Sequence, residues 1–475
     1  MVMVDDRPMT TGEGSYLSQN DAIMWNVEAD PLLRSTIAVI FLLDRTPNRE
    51  VLEARVRRTI GDVLALRQRV EGVPLHPGSL QWVEVDEVDL GYHLRHVSLP
   101  DPGGTDELLE FARTTAAGGF DPARPLWSFT LVDHVRVDGE NRAAFIMTAH
   151  HVVTDGIGAI ALAAHLFDLT ADATAPDDTG AVTALPAQPA PTSTLDRWLR
   201  AVAHDVETAA SIAATGMHDA VPNMLNALRH PVDTVAGVAA TVQSVARVVV
   251  PTVDTKSPVM TARTMVHRFS VLEVPVDVLR AAGKAGGGTL NDAFLAGITG
   301  GMRRYHQLHD APVTELRMAM PISLRTDDHA AGGNHVTVLR TVVPIDVADP
   351  RDRIAQLHEV GRRLRDERSL AHTEAIAGVL NLLPRGVIGT MLKRVDFLAS
   401  NVPGVPVPLY LAGSEVLRVF PFGPTAGSSV NLTLMSYRGQ CGIGIHTDTA
   451  AIPDTDVFVR CITEGFDEVT SLATR

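Results

Sequence analysis

Residues 143–156 read Ala-Ala-Phe-Ile-Met-Thr-Ala-His-His-Val-Val-Thr-Asp-Gly, and the interpretation of the whole chain starts from this stretch. Its apolar first half predicts a strand that ends at the paired histidines. Residues 129–137 predict a second strand, and the polar segment 138–141 predicts a tight hairpin turn between the two. Gly156 then opens a predicted helix over residues 157–169. The histidines therefore lie where a strand gives way to a loop.

The side chains at this strand end suit proton transfer. Imidazole has a reference pKa of about 6.5, so His151 can act as a general base near neutral pH. Asp155 at the turn can cap the following helix or form an ion pair, and Gly156 allows a positive φ angle. A purely structural pair of His150 and His151 is one alternative. A metal site is another, although no third ligand of fitting spacing lies nearby. Spacing alone leaves these alternatives open.

Length, composition and charge limit the class of protein. A chain of 475 residues is too long for one ordinary core and predicts two or three domains. Hydrophobic residues make up 45% and charged residues 20%, which is typical of a globular protein. The net charge of −15 argues against nucleic acid as the main partner, whereas a small anionic ligand needs only a local basic patch.

The chain is expected to be cytoplasmic. Its first residues lack the basic start and apolar stretch of a signal peptide, and no window reaches the roughly 18 apolar residues of a spanning helix. Cys441 and Cys461 have no close spacing, so we expect neither a disulfide framework nor a zinc site.

Three stretches of the chain differ in composition and hydrophobic pattern. Residues 1–170 and 263–475 mix strands and helices, whereas 171–262 combine a Pro-, Ala- and Thr-rich linker with amphipathic helical patterns between 195 and 250. The loose alternation predicts an α/β protein with mixed sheets in two lobes. Further predicted elements are strands over 35–43, 316–322 and 336–343 and helical patterns over 51–70 and 290–305.

The motif His150-His151-x-x-x-Asp155-Gly156 resembles the signature of coenzyme A-dependent acyltransferases of the chloramphenicol acetyltransferase and condensation-domain type. Four further segments narrow the resemblance to the bacterial wax ester synthase/diacylglycerol acyltransferase family. Each is weak or moderate alone, but the ordered set is specific. They are Pro125-Leu126-Trp127, Asn291-Asp292, Pro321-Ile322-Ser323-Leu324-Arg325 with the following Gly333-Asn334, and Ser400-Asn401-Val402-Pro403-Gly404.

The resemblance implies a fold and an activity. The fold is two-lobed and chloramphenicol acetyltransferase-like, with mixed sheets, helices and a tunnel between the lobes. The activity is transfer of a fatty acyl group from acyl-CoA to diacylglycerol, a long-chain fatty alcohol, or both. His151 acts as the general base without a covalent intermediate, and acyl-CoA is a co-substrate, so no cofactor or metal is needed. Lipid substrates imply peripheral contact with the inner membrane or lipid droplets, for which the amphipathic patterns are candidates. Packing of these patterns on the protein itself is the alternative.

The resemblance also implies supporting residues around His150 and His151. Asp155 is structural, with Arg325 of the other lobe as its expected partner, and Asn334 belongs to the same supporting set. Pro125, Leu126 and Trp127 are expected to act as a folding element, since a tryptophan in such a place is usually core.

Two polar pairs complete the candidate site. Asn291 and Asp292 either serve the reaction or simply cap a helix, because both are good first-turn residues. Ser400 and Asn401 either line the tunnel and donate to an oxyanion or belong to a tight loop set by Pro403-Gly404.

Two other functions compete with this interpretation. One is a related acyltransferase acting on another hydroxyl acceptor. The other is a non-catalytic lipid-binding protein, which would not require the combination of His151, Asp155, Gly156, Asn291 and Arg325.

Overall fold

A computed structural model of the protein describes residues 16–73, 76–153, 162–172, 255–323, 336–365, 393 and 395–474. The helices are α1 (Gln19–Val27), α2 (Arg49–Asp62), α3 (Leu90–His93), α4 (Thr105–Ala117), α5 (Val276–Ala285), α6 (Leu290–Leu308), α7 (Pro350–Arg365) and α8 (Thr455–Thr470). The strands are β1 (Thr36–Leu43), β2 (Gln68–Val73), β3 (His76–Glu84), β4 (Leu94–Ser98), β5 (Trp127–Val137), β6 (Glu140–His150), β7 (His267–Pro275), β8 (Glu315–Ser323), β9 (Val336–Pro344), β10 (Phe397–Val402), β11 (Tyr410–Leu411), β12 (Ser414–Phe422), β13 (Val430–Tyr437) and β14 (Gln440–Asp448).

The predicted hairpin is confirmed. Strands β5 and β6 are antiparallel, with Val137 opposite Glu140. Between them, Asp138 and Gly139 have φ angles of 55° and 80°. Positive φ at both turn positions is the geometry that matches the twist of the flanking strands, and Asp-Gly tolerates it.

The other predicted elements are confirmed where the structure describes them, with two corrections. The helix predicted over 157–169 ends at Leu166, and Asp168 instead forms an isolated bridge with Tyr410. Strands β1, β8 and β9 and helix α6 lie where the pattern placed them. The helical pattern over 51–70 is wrong beyond Asp62, because Val63 is extended and Gln68–Val73 form a strand. That strand pairs with β3, and this pairing outweighs a helical spacing that continues past the end of α2.

Two large mixed sheets form the framework. Sheet I has the strand order β11-β12-β1-β6-β5-β4, and sheet II has the order β7-β14-β13-β10-β8-β9. Strands β4 and β5 are parallel, as are β10 and its two neighbours, whereas the remaining pairs in these sheets are antiparallel. Helices α5, α6 and α8 share one apolar core with sheet II, and two further cores cover the two faces of sheet I.

The C-terminal part of the chain contributes two strands to sheet I. Strands β11 and β12 come from the part of the chain predicted as the second lobe, 263–475, yet β12 pairs with β1 in sheet I. This strand also packs directly on sheet II: a Cβ added at Gly442 or Gly444 would lie 2.0 or 1.8 Å from the carbonyl oxygens of Val419 and Pro421. Only glycine allows backbones to approach so closely, so β12 fastens the lobes together.

Several predictions concern residues outside the described part. Most of the linker and the whole amphipathic region belong to this group, because residues 173–254 are not described, and so do residues 154–161 and 324–335. Among the described helices, none is long and apolar enough to cross a membrane.

Candidate functional site

The histidine pair is held by the two strands that flank β6. The amide of His150 donates to the carbonyl of Leu126 at 2.9 Å, and the amide of His151 donates to the carbonyl of Ser35 at 2.8 Å. Ser35 immediately precedes β1, and Leu126 immediately precedes β5. Three adjacent strands therefore fix the backbone at the point where the histidines leave the sheet.

The Pro-Leu-Trp segment supports this strand end from the core. Pro125, Leu126 and Trp127 are all buried. The indole of Trp127 donates to the carbonyl of Leu66 at 2.8 Å and stacks on the ring of His93, with centroids 4.4 Å apart. Burial lowers the pKa of His93. The one polar group of the Trp127 side chain is thus paired, and the segment has the environment expected of a folding element.

The first histidine, His150, is buried, and both of its ring nitrogens are hydrogen-bonded. The side chain of His150 is 1% exposed. Its Nδ1 accepts a hydrogen bond from the amide of Val152 at 3.1 Å, so we assign the ring proton to Nε2, which donates to the carboxylate of Glu28. Trp25, from the same helix end as Glu28, meets the ring edge-on at 5.6 Å. Both ring nitrogens of His150 are therefore engaged in hydrogen bonds within the protein.

The second histidine has a different environment. His151 is partly exposed, and its backbone belongs to the turn that follows β6. Asp155 and Gly156, which complete the motif, lie outside the described residues, and so do Arg325 and Asn334. The expected contact between Asp155 and Arg325 therefore stays a prediction.

The Asn-Asp pair divides into two roles at the start of α6. Asp292 is 3% exposed, and its Oδ2 accepts from the amide and the hydroxyl of Thr289, both at 2.8 Å. The same oxygen accepts from Nδ1 of His358 on α7 at 2.8 Å. These contacts form a capping box that also ties two helices together, which is the capping role foreseen for this residue.

Asn291 meets the other polar pair. Its side-chain oxygen accepts from Nδ2 of Asn401 at 3.3 Å, across a separation of 110 residues in the chain. Asn401 is exposed and Ser400 is partly exposed, near the end of β10. A Cβ at Gly404 would lie 1.4 Å from the carbonyl oxygen of Ser436, which explains the tight loop after this strand. The structure thus brings Asn291 and Asn401 together at the C-terminal end of β10, an interior strand of sheet II.

Glu28 is a residue of the site that sequence reasoning missed. It follows α1 and lies 122 residues before His150 in the chain. A single acidic residue at a helix end carries no pattern of its own, because such positions are common on solvated surfaces. Among the described residues, no group of three His, Cys, Asp or Glu side chains could hold a metal ion.

Models of two protein domains match the sequence of this chain. The model of the wax ester synthase/diacylglycerol acyltransferase catalytic domain matches residues 17–294, and the model of the WS/DGAT C-terminal domain matches residues 332–470. A Mycobacterium tuberculosis H37Rv protein, provisionally named a diacylglycerol O-acyltransferase, is 33% identical over 477 residues, covering 98% of this chain and 94% of its own. A second protein of that strain, with the same provisional name, is 29% identical over 391 residues, covering 79% of each chain.

Solved structures share the fold. The wax ester synthase/diacylglycerol acyltransferase from Marinobacter aquaeolei VT8 superposes with a TM-score of 0.60 at 19% identity, covering 99% of this chain and 100% of that one. The first condensation domain of the calcium-dependent antibiotic synthetase reaches a TM-score of 0.58 at 14% identity, covering 98% and 97%. At such identities the likeness concerns the fold alone, and it confirms the two-lobed α/β architecture.

Proposed function

Because the chain belongs to the wax ester synthase/diacylglycerol acyltransferase family of acyltransferases, we propose that it transfers a fatty acyl group from acyl-CoA to a lipid hydroxyl. The acceptor is diacylglycerol, which gives a triacylglycerol, or a long-chain alcohol, which gives a wax ester. His151 is the general base. The observation that carries this assignment is the different environment of the two histidines: His150 is buried on Glu28, whereas His151 is partly exposed at the strand end.

The proposed reaction needs one proton carrier and no covalent enzyme intermediate. His151 takes the proton of the acceptor hydroxyl as its oxygen attacks the thioester carbonyl carbon. A tetrahedral oxyanion forms and then collapses, so that the carbon–sulfur bond breaks. The departing thiolate of coenzyme A takes the proton back from His151, which leaves the ester, free coenzyme A and an unchanged enzyme.

Other residues take supporting roles in the proposal. Asn401 and Ser400 are candidates to donate hydrogen bonds to the oxyanion, with Asn291 orienting the amide of Asn401 through their contact at 3.3 Å. We assign His150 and Glu28 to the positioning of His151.

The remaining motif residues keep structural roles. Asp155 and Gly156 shape the loop, with Arg325 and Asn334 as its proposed supports from the other lobe. Asp292 keeps the capping role that its hydrogen bonds support.

The acceptors dissolve in membranes rather than in water, so we place the enzyme in the cytoplasm in peripheral contact with the inner membrane or lipid droplets. The candidate contact segments between 195 and 250 lie outside the described residues. Co-sedimentation with lipid vesicles tests this part. Replacing the apolar residues on one face of 195–206 with charged residues should abolish vesicle binding, and unchanged binding would exclude that face.

The decisive experiment measures ester formation from radiolabelled palmitoyl-CoA with hexadecanol or a diacylglycerol. The wild type should form ester, His151→Ala should not, and the preferred acceptor identifies the natural reaction. His165→Ala is the matched control, because His165 is an exposed histidine on a different segment. A fully active His151→Ala variant would refute the general-base assignment. Binding of palmitoyl-CoA without ester from any acceptor would instead favour a lipid-binding role.

A further inference from the structure

The chain segments that follow the two polar motifs meet at the edge of sheet I. Asp168, which follows the histidine motif, and Tyr410, which follows Ser400-Asn401, form an antiparallel bridge. The amide of Asp168 donates to the carbonyl of Tyr410 at 2.8 Å, and the amide of Tyr410 donates back to the carbonyl of Asp168 at 2.9 Å. Backbone hydrogen bonds therefore join the segment that leaves one motif to the segment that leaves the other.

The bridge is short, and side chains of α2 support it. Nη1 of Arg55 donates to Oδ1 of Asp168 at 2.6 Å. The two side chains are 13% and 25% exposed, so water screens this ion pair less than it screens one on the surface. Thr59, one turn further along α2, shares its hydroxyl proton between the carbonyls of Arg55 at 2.9 Å and His165 at 3.3 Å. Helix α2 thus holds the segment that ends at the bridge at two points.

This ion pair is not the arrangement that stability alone would favour. An arginine and a carboxylate can form two parallel hydrogen bonds, whereas this pair forms one. Nε of Arg55 and Oδ2 of Asp168 are buried and make no hydrogen bond within the described part of the chain. Burying such groups costs free energy, and two apolar side chains of similar volume are often as stable. A directional contact has another use, because it fixes the position of Asp168 along α2.

One apolar core connects this contact with the histidine motif. Val152 and Val153 directly follow His151 and are buried in the same core as Phe167 and Leu409, the residues that precede the two bridge positions. Because protein interiors are close-packed, a shift at the bridge is passed on to the turn that carries His151.

On the other side of the bridge, the chain is held on β13 as far back as Ser400-Asn401. The hydroxyl of Tyr437 accepts from the amide of Leu409 at 2.8 Å. At Gly404 the backbone lies against the carbonyl of Ser436, so closely that an added Cβ would be 1.4 Å from its oxygen. The position of the bridge is therefore tied to the position of the Ser-Asn pair.

We propose that Arg55 and Asp168 are positioning residues for acyl transfer, which hold the segment after the histidine motif against the segment after the Ser-Asn motif. Neither residue belongs to a motif, and both act through the backbone and core that they hold in place. This inference rests on the proposed function. Loss of the ion pair should leave binding of acyl-CoA intact and displace His151 from the geometry that proton transfer requires.

A double-mutant cycle separates positioning from stability. Arg55→Met and Asp168→Leu each leave one buried charge unpaired, so each should lower the melting temperature. Each should also reduce kcat for ester formation by about tenfold or more, with KM for palmitoyl-CoA unchanged. The double variant buries no charge, so its melting temperature should return toward that of the wild type, whereas its kcat should stay low because an apolar contact does not fix the bridge. Arg55→Lys keeps the charge and should retain more activity than Arg55→Met.

The ion pair of Arg67 and Glu84 is the matched control, because its side chains are 13% and 12% exposed. Arg67→Met should lower the melting temperature without changing kcat. If kcat of the Arg55→Met/Asp168→Leu variant recovers together with its melting temperature, the pair is purely structural and the inference is overturned.

Hydrogen exchange followed by mass spectrometry distinguishes failure of this inference from failure of the proposed function, since it needs no turnover. Arg55→Met should speed exchange in peptides that cover residues 162–172 and 405–411, whereas Arg67→Met should not. Unchanged exchange in both peptides would overturn the inference even in an active enzyme. If the wild type forms no ester, the proposed function fails, and faster exchange would still support the role of the ion pair in holding the two segments together.

Discussion

The contact between Glu28 and His150 allows a quantitative test of the site. His150 is 1% exposed and Glu28 is 20% exposed. The Glu28→Ala variant leaves the Nε2 proton of His150 buried without its acceptor. A hydrogen bond to a charged group contributes about 1.5–3 kcal/mol. Because Glu28 is partly open to water, which can replace part of the contact, we expect a loss of about 2 kcal/mol of stability.

The same change should slow the reaction. His150 fixes the turn through the amide of Val152, so a rotated His150 ring displaces His151 next to it. A misplacement of about 1 Å can cost about a hundredfold in rate. We expect kcat for ester formation to fall by between about ten- and a hundredfold, with KM for palmitoyl-CoA nearly unchanged. Glu28→Gln keeps an acceptor oxygen and should retain most of the activity.

Glu84 offers a matched control. Its carboxylate accepts from Nε of Arg67 at 2.5 Å, and its side chain is 12% exposed. Glu84→Ala should lower the melting temperature to a similar extent without changing kcat. If Glu28→Ala also lowers only the melting temperature, Glu28 and His150 have a purely structural role, and the positioning argument is refuted.

Three further predictions follow from packing and burial. Gly444→Ala should prevent folding into a soluble protein, because its Cβ would lie 1.8 Å from a carbonyl oxygen of β12. The control Gly72→Ala should be tolerated, because its Cβ would meet no atom within 4 Å. Soluble yield and circular dichroism distinguish the two variants. Burial raises the pKa of the Cys441 thiol to about 11 and also raises that of Cys461, so neither is a thiolate at pH 8, and Ellman's reagent should label them only after denaturation. Asp292→Ala removes three hydrogen bonds at the start of α6 and should cost about 2–3 kcal/mol in thermal or urea unfolding; a change below about 0.5 kcal/mol would contradict the capping role.

The sequence by itself determined the elements whose signals are local. The hairpin of β5 and β6 follows from alternating apolar residues around Asp138-Gly139, whose turn geometry is set by the dipeptide itself. The start of α6 follows from Thr289 and Asp292, which satisfy each other within one turn. The ordered motifs identified the family, because each is a short run of adjacent residues.

Only the tertiary structure decided which distant residues meet. Strand β12 joins sheet I although it lies in the second half of the chain, and Glu28 reaches His150 across 122 residues. Asn291 and Asn401 meet across two elements, and a small cavity between the sheets is lined by residues of both lobes, among them Arg113 and His446. Such contacts depend on how sheets pack and which strands cross between them, and no local propensity or spacing records that choice.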